Sequence, residues 1–148
     1  MKRCEKLKLM ETEWSALPNM HTGRSFFTPC KYNKYLYLCG NGSDRIESFD
    51  PDSLVFTQIN ARLPENSKCC AFVEDDKLII ISEKCTSKWS IGSGQQLAKV
   101  ATTRHEEWDV SCNMAPVVDE EKKEAFLSVR GACYCLKSDG GEIRFVAR

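Results

Sequence analysis

A short sequence grammar repeats about every 45 residues along this 148-residue chain, and few folds accommodate such a period. Leu17-Pro18 returns as Leu63-Pro64, and Leu36-Tyr37-Leu38 returns as Leu78-Ile79-Ile80 and then as Phe126-Leu127-Ser128. Each recurrence runs through a proline-marked lead-in, a short strand, a charged turn, a strongly apolar strand, a polar loop, a third strand, a tight turn and a fourth strand. Three such units are expected to be propeller blades. A twisted four-stranded sheet cannot bury both faces alone, so its neighbours in the array must stack on it.

The local pattern agrees with an all-β reading. Tyr35-Leu36-Tyr37-Leu38-Cys39, Leu54-Val55-Phe56-Thr57, Leu78-Ile79-Ile80-Ile81 and Ala125-Phe126-Leu127-Ser128-Val129 are short, β-branched or aromatic runs. Turn sequences separate them: Tyr32-Asn33-Lys34, Asp50-Pro51-Asp52-Ser53, Glu74-Asp75-Asp76-Lys77 and Asp119 to Lys123. The best helix candidate is Gln95 to Thr102, where Leu97, Val100 and Ala101 would share a face, although it is short and follows Gly92-Ser93-Gly94.

The residues of the first unit resemble the kelch repeat. Trp14-Ser15-Ala16-Leu17-Pro18-Asn19-Met20 with Gly23-Arg24-Ser25 is similar to the kelch passage from one blade's last strand into the next blade's first. Tyr35 to Cys39 followed by Gly40-Asn41-Gly42 resembles the apolar strand that ends in paired glycines, with Asn41 where a second glycine is usual. Phe49, followed by Phe56, resembles the family's spaced aromatic pair. The likeness is strongest over residues 14–57 and fades along the chain: Ser82-Glu83 replaces the glycines of the second unit, and the third keeps only Gly131. It implies an incomplete kelch-type β-propeller of four-stranded antiparallel blades.

On this reading residues 1–18 form half a blade and 19–60, 61–103 and 104–148 form three whole ones. Leu7-Lys8-Leu9-Met10 and Trp14 read as the third and fourth strands of the half blade, and Ile143 to Arg148 as the last strand of the final one. Closed rings have about 4–8 blades. Three and a half blades leave an apolar end face and an unpaired edge beside Leu7 and Leu9. The chain is therefore expected either to be a piece of a longer protein, the favoured reading, or to complete its ring by association with another chain or a copy of itself.

Composition narrows the function. The 21 Lys and Arg balance the 21 Asp and Glu, which argues against a chain built to grip nucleic-acid phosphates. No apolar run reaches membrane-spanning length, and Met1 to Lys8 has no apolar stretch behind its charges, so neither membrane insertion nor a secretory signal is expected. The nine cysteines are accordingly expected to be reduced thiols packed in strands, in a cytoplasmic protein.

No Cys-x-x-Cys is present, and only His21 and His105 could supplement thiols in a metal site, so no metal or other cofactor is expected. His105, beside Glu106-Glu107, is the one tempting general base, but no nucleophile elbow accompanies it. Gly40-Asn41-Gly42 and Gly92-Ser93-Gly94 read as turns, since neither has the following lysine and hydroxyl of a phosphate loop.

The candidate binding residues are Arg24, Ser43, Asp44, Arg45 and Trp108. The kelch resemblance implies that Arg24 faces the channel mouth, where its guanidinium fork would meet a partner's carboxylates. A salt bridge to a neighbouring blade is the plainer alternative. The loops from Gly40 to Arg45 and from Glu83 to Lys88 are expected at the propeller faces. Trp108, between Glu107 and Asp109, is a contact candidate if exposed, whereas Trp14, Trp89, Phe49 and Phe56 are expected to fill blade cores. The expected function is a non-catalytic scaffold that binds another protein. The alternatives are an oxidase or lyase-like enzyme of a kelch-type propeller, or a structural arc within a larger assembly.

Overall fold

The computed structural model describes residues 2–7, 12–25, 27–40, 42–64, 68–104, 117–119, 124–129, 132–139 and 142–147, the last four stretches through their backbone. Among the described residues, fourteen strands make four antiparallel sheets. β1 (Cys4–Lys6) pairs with β2 (Ser15–Leu17). β3 (Thr28–Tyr32), β4 (Tyr35–Cys39), β5 (Arg45–Asp50) and β6 (Val55–Arg62) follow in sequence order across the next sheet. β7 (Cys69–Glu74), β8 (Lys77–Ser82), β9 (Cys85–Ile91) and β10 (Leu97–Arg104) repeat that meander. So do β11 (Val117–Asp119), β12 (Glu124–Val129), β13 (Ala132–Asp139) and β14 (Glu142–Ala147). The described residues include one 3-10 turn, Ser93–Gln95, and no helix long and apolar enough to cross a membrane.

Side-chain alternation explains how the sheets stack. Successive residues of a strand point to opposite faces, so each sheet can offer two apolar surfaces. One face of the β3–β6 sheet contributes Cys30, Tyr37, Cys39, Ile46, Ile59 and Ala61, which pack against Cys69, Ala71, Leu78, Ile80 and Trp89 of the β7–β10 sheet. Its other face carries Leu38, Phe49 and Phe56, covered by Met20 with Cys4 and Leu17. The Phe49 and Phe56 rings sit 4.6 Å apart at 33°, a tilted pair across β5 and β6. Cys70, Phe72, Ile79 and Ile81, on the far side of the β7–β10 sheet, are buried as well. Each fully buried aliphatic of this kind contributes about 1.5–3 kcal/mol through removal from water.

Between the β3–β6 and β7–β10 sheets, β3 lies beside β7 and β6 beside β10. First strands therefore neighbour first strands and last strands neighbour last, the radial order of successive blades. Tyr32 Oη donates to Asp76 Oδ1 at 2.7 Å, joining the β3–β4 hairpin to the β7–β8 hairpin.

Three expectations require correction. Gln95 to Thr102 is not a helix: from Leu97 onward it is β10, paired with β9 through Arg104 with a bulge between Lys99 and Ala101. The β-branched Val100, Thr102 and Thr103 suit a strand, and so short an isolated helix would have little stability of its own. Trp14 is 65% exposed rather than a blade-core aromatic, while Trp89, Phe49 and Phe56 are buried as expected. Cys85 to Lys88 belong to β9, so the connection after β8 is only Glu83-Lys84, closed by Ser82 Oγ donating to the Cys85 carbonyl.

Gly40 shows why the end of β4 demands glycine. Its φ is +83°, and a Cβ there would lie 2.2 Å from Cys69 Sγ of the facing sheet. Gly40→Ala should lower stability by about 2–4 kcal/mol through overpacking and left-handed strain. Denaturant unfolding checks this, and the penalty should shrink in a Cys69→Ala background because the clashing sulfur is gone.

Candidate functional site

The segment between β2 and β3 passes over the β4–β5 connection, and a buried ion pair holds the two together. Glu47 projects from β5 on the Leu38 face and is wholly buried. Its Oε1 accepts the Thr22 backbone N–H at 2.9 Å, and its Oε2 accepts the His21 backbone N–H at 3.0 Å. Arg24 is 2% exposed. Its Nη2 donates to Glu47 Oε1 at 3.2 Å and to the Arg45 carbonyl at 2.5 Å, and its Nη1 donates to the Gly40 carbonyl at 3.1 Å. The His21 ring, half exposed, lies with Nδ1 3.5 Å from Glu47 Oε2. A carboxylate out of water is tolerable only when its lone pairs are filled in this way.

The structure places Arg24, for which the resemblance implied a channel-mouth role, inside the protein against Glu47. Among the described residues the carboxylate it meets is Glu47 of β5, in the sheet that its own segment leads into. Ser43 is also buried, and its Oγ accepts the Arg45 N–H at 3.0 Å, shaping the loop instead of facing outward. Gly42, at φ +95°, lies against the Gly23 carbonyl, where an added Cβ would sit 3.1 Å from the oxygen. The loop is consequently clamped from both sides.

Asp44 and Arg45 are the candidates that remain partly accessible. Asp44 Oδ2 is 2.6 Å from Arg62 Nη1, and the Asp44 carbonyl accepts the Leu63 N–H at 2.7 Å. Arg62 carries no signal in the sequence, where it reads only as the residue before Leu63-Pro64. It stands directly opposite Arg45 in the β5–β6 register. Like charges placed opposite each other repel, and one Asp44 carboxylate offsets only part of that. The end of this sheet therefore carries a small cationic excess on a rigid loop. Trp108 and His105 lie outside the described residues.

Behind the loop sits a cluster of thiols. Cys39 is held well above the ordinary thiol value by its hydrogen bond with Cys30 and by burial, with Arg24 opposing. Burial also pushes Cys69 up, with Cys39 adding to the shift and Arg24 again opposing. Tyr37, beside Cys30, is raised to about 12, mainly by burial. Such thiols are poor nucleophiles, because the thiolate is the reactive form. No disulfide joins the six described cysteines, and among the described residues no group of three or more His, Cys, Asp or Glu is arranged to hold a metal ion.

No protein-family model matches this chain, and no curated protein matches it by sequence. Among solved structures, it is similar to the N-terminal domain of Nup159, with a TM-score of 0.55 and 14% identity over 99% of this chain. The chain spans 43% of that structure's length. The likeness extends to the fold: four-stranded antiparallel sheets stacked as blades make this chain a partial β-propeller.

Glu47→Gln should destabilise the protein by about 3–5 kcal/mol, since it leaves the Arg24 charge buried beside a neutral amide. Amide hydrogen exchange at His21 and Thr22 should accelerate in the same variant, locating the loss at the clamp. Among the six described cysteines, Cys4 is the most accessible and should be alkylated first by iodoacetamide, with the five buried ones protected until the protein unfolds. Peptide mass mapping of a labelling time course reads that order.

Proposed function

We propose that this chain is a non-catalytic protein-interaction module of the kelch-repeat type, which binds an acidic segment of another protein at the β4–β5 loop. The carrying observation is the clamped loop itself. Arg45 and Arg62 stand opposite each other in the β5–β6 register, and among the described residues Asp44 is the carboxylate that meets Arg62. An incoming carboxylate would relieve that repulsion, and the loop would lose little freedom on binding because Glu47, Arg24 and Ser43 already hold it. Rigid scaffolds that carry function on loops work in this manner.

The kelch assignment draws support from the positions that gave the resemblance. Gly40 and Gly42 both adopt positive φ, and Phe49 stacks on Phe56. The near balance of charge over the chain and its reduced-thiol character suit a cytoplasmic partner-binding protein better than a nucleic-acid binder. Further blades, from a longer chain or a second molecule, would complete the ring around this arc.

Arg45→Glu with Arg62→Glu reverses the charge of the loop at exposed or half-exposed positions and should leave the thermal melt close to wild type. Binding of an acidic test peptide such as blocked hexaglutamate, followed by fluorescence anisotropy, should fall about tenfold or more and should weaken steeply with salt. Equal binding by the wild type and the variant would overturn the loop assignment.

A further inference from the structure

A recess lies away from the β4–β5 loop, between β6 and the connection that leads into β10. Thr57, Gln58, Ile59 and Asn60 of β6 form one wall, and Gly94, Gln95, Gln96 and Leu97 form the other. The slot holds about 340 Å³, within the range of pockets that take small ligands or part of a peptide. Four consecutive residues of a strand alternate between its faces, so a recess lined by all four runs along the strand's edge.

That edge is available. Among the described strands β6 pairs only with β5, leaving the outward main-chain groups of one side without a strand partner. Ile59 is buried and Leu97 half-buried, giving the slot an apolar floor. Gln58, Asn60 and Gln96 are exposed amides, each able to donate and to accept hydrogen bonds. None of the eight lining residues carries a charge.

The far wall is held in place. Gln95 has φ +65°, uncommon for a residue with a side chain, and its Oε1 accepts the hydroxyl of Ser48, which is buried on β5 of the neighbouring sheet. The Gly92 N–H donates to the Gln96 carbonyl at 2.8 Å, closing the connection on itself. A wall fixed before the ligand arrives loses little freedom on binding.

We propose that this slot binds an extended, uncharged peptide segment that adds to the outer edge of β6 and lays one aliphatic side chain on Ile59 and Leu97. Strand addition uses main-chain hydrogen bonds for affinity and a side-chain pocket for selectivity, and both elements are present here. A charged side chain would give up water for a wall without a counter-charge, which excludes acidic or basic segments. The site is separate from the cationic β4–β5 loop and does not depend on that loop's proposed role.

The test is a titration of the isotope-labelled full chain with pools of blocked, uncharged pentapeptides, followed by amide chemical shifts. Pools with a central Val, Leu, Ile or Met should give saturable shifts confined to residues 57–60 and 94–97. Glycine-centred pools, and aliphatic pools N-methylated at the central amides, should bind at least about tenfold more weakly. Asn60→Arg and Gln96→Arg, at exposed positions, should each abolish the response, while Arg45→Glu should leave it unchanged. The proposal is overturned if no pool gives saturable shifts at about 1 mM. It is equally overturned if the N-methylated pools bind as well as their parents, or if maltotriose shifts these amides and the peptides do not.

Discussion

A meander of four short strands that is apolar on both faces has no stable existence in water by itself, and this constraint governs the whole arc. Tyr37, Cys39 and Ile46 are buried only because Cys69, Leu78 and Ile80 press against them from the next sheet. The contact is close enough that the Cys69 sulfur occupies the space where any residue but glycine at position 40 would carry its Cβ. The two sheets thereby set each other's position, and the loops at their ends inherit it.

The Arg24–Glu47 pair uses that fixed frame. A buried ion pair adds little net stability, because desolvation consumes most of the Coulombic gain, but removing one partner is costly. Its effect is positional. Glu47 gathers the His21 and Thr22 amides, and Arg24 gathers the carbonyls of Gly40 and Arg45, so the lead-in segment and the β4–β5 loop cannot move apart. Asp44, Arg45 and Arg62 then stand on a surface that is already ordered.

Much of the fold was legible in the residues. Tyr35 to Cys39 is a strand with the bounds its pattern suggests, and Gly40 and Gly42, read as part of a turn, both take positive φ. The reading faltered where local pattern and tertiary partner disagreed. Leu97, Val100 and Ala101 have helical spacing, yet β9 offered them a ladder and the strand prevailed. Trp14 looked like a core aromatic because tryptophan is buried on average, but just ahead of β2 it is largely exposed. The partner of Arg24 could not be read from the sequence: a guanidinium suits an internal carboxylate as well as a foreign one, and Glu47 lies too far along the chain to be recognised.

The sequence by itself determined the strand class, the roughly 45-residue blade period and the glycine positions. Those follow from local chemistry: side-chain alternation, turn propensity and the freedom of glycine to adopt φ above zero. Only the tertiary structure decided which charges are buried, which are displayed, and where an open edge meets a fixed wall. Glu47 is inside, Arg62 is outside, and the slot between β6 and Gln95 exists because two sheets stack at one particular offset. That offset depends on contacts between residues tens of positions apart, which no local pattern encodes.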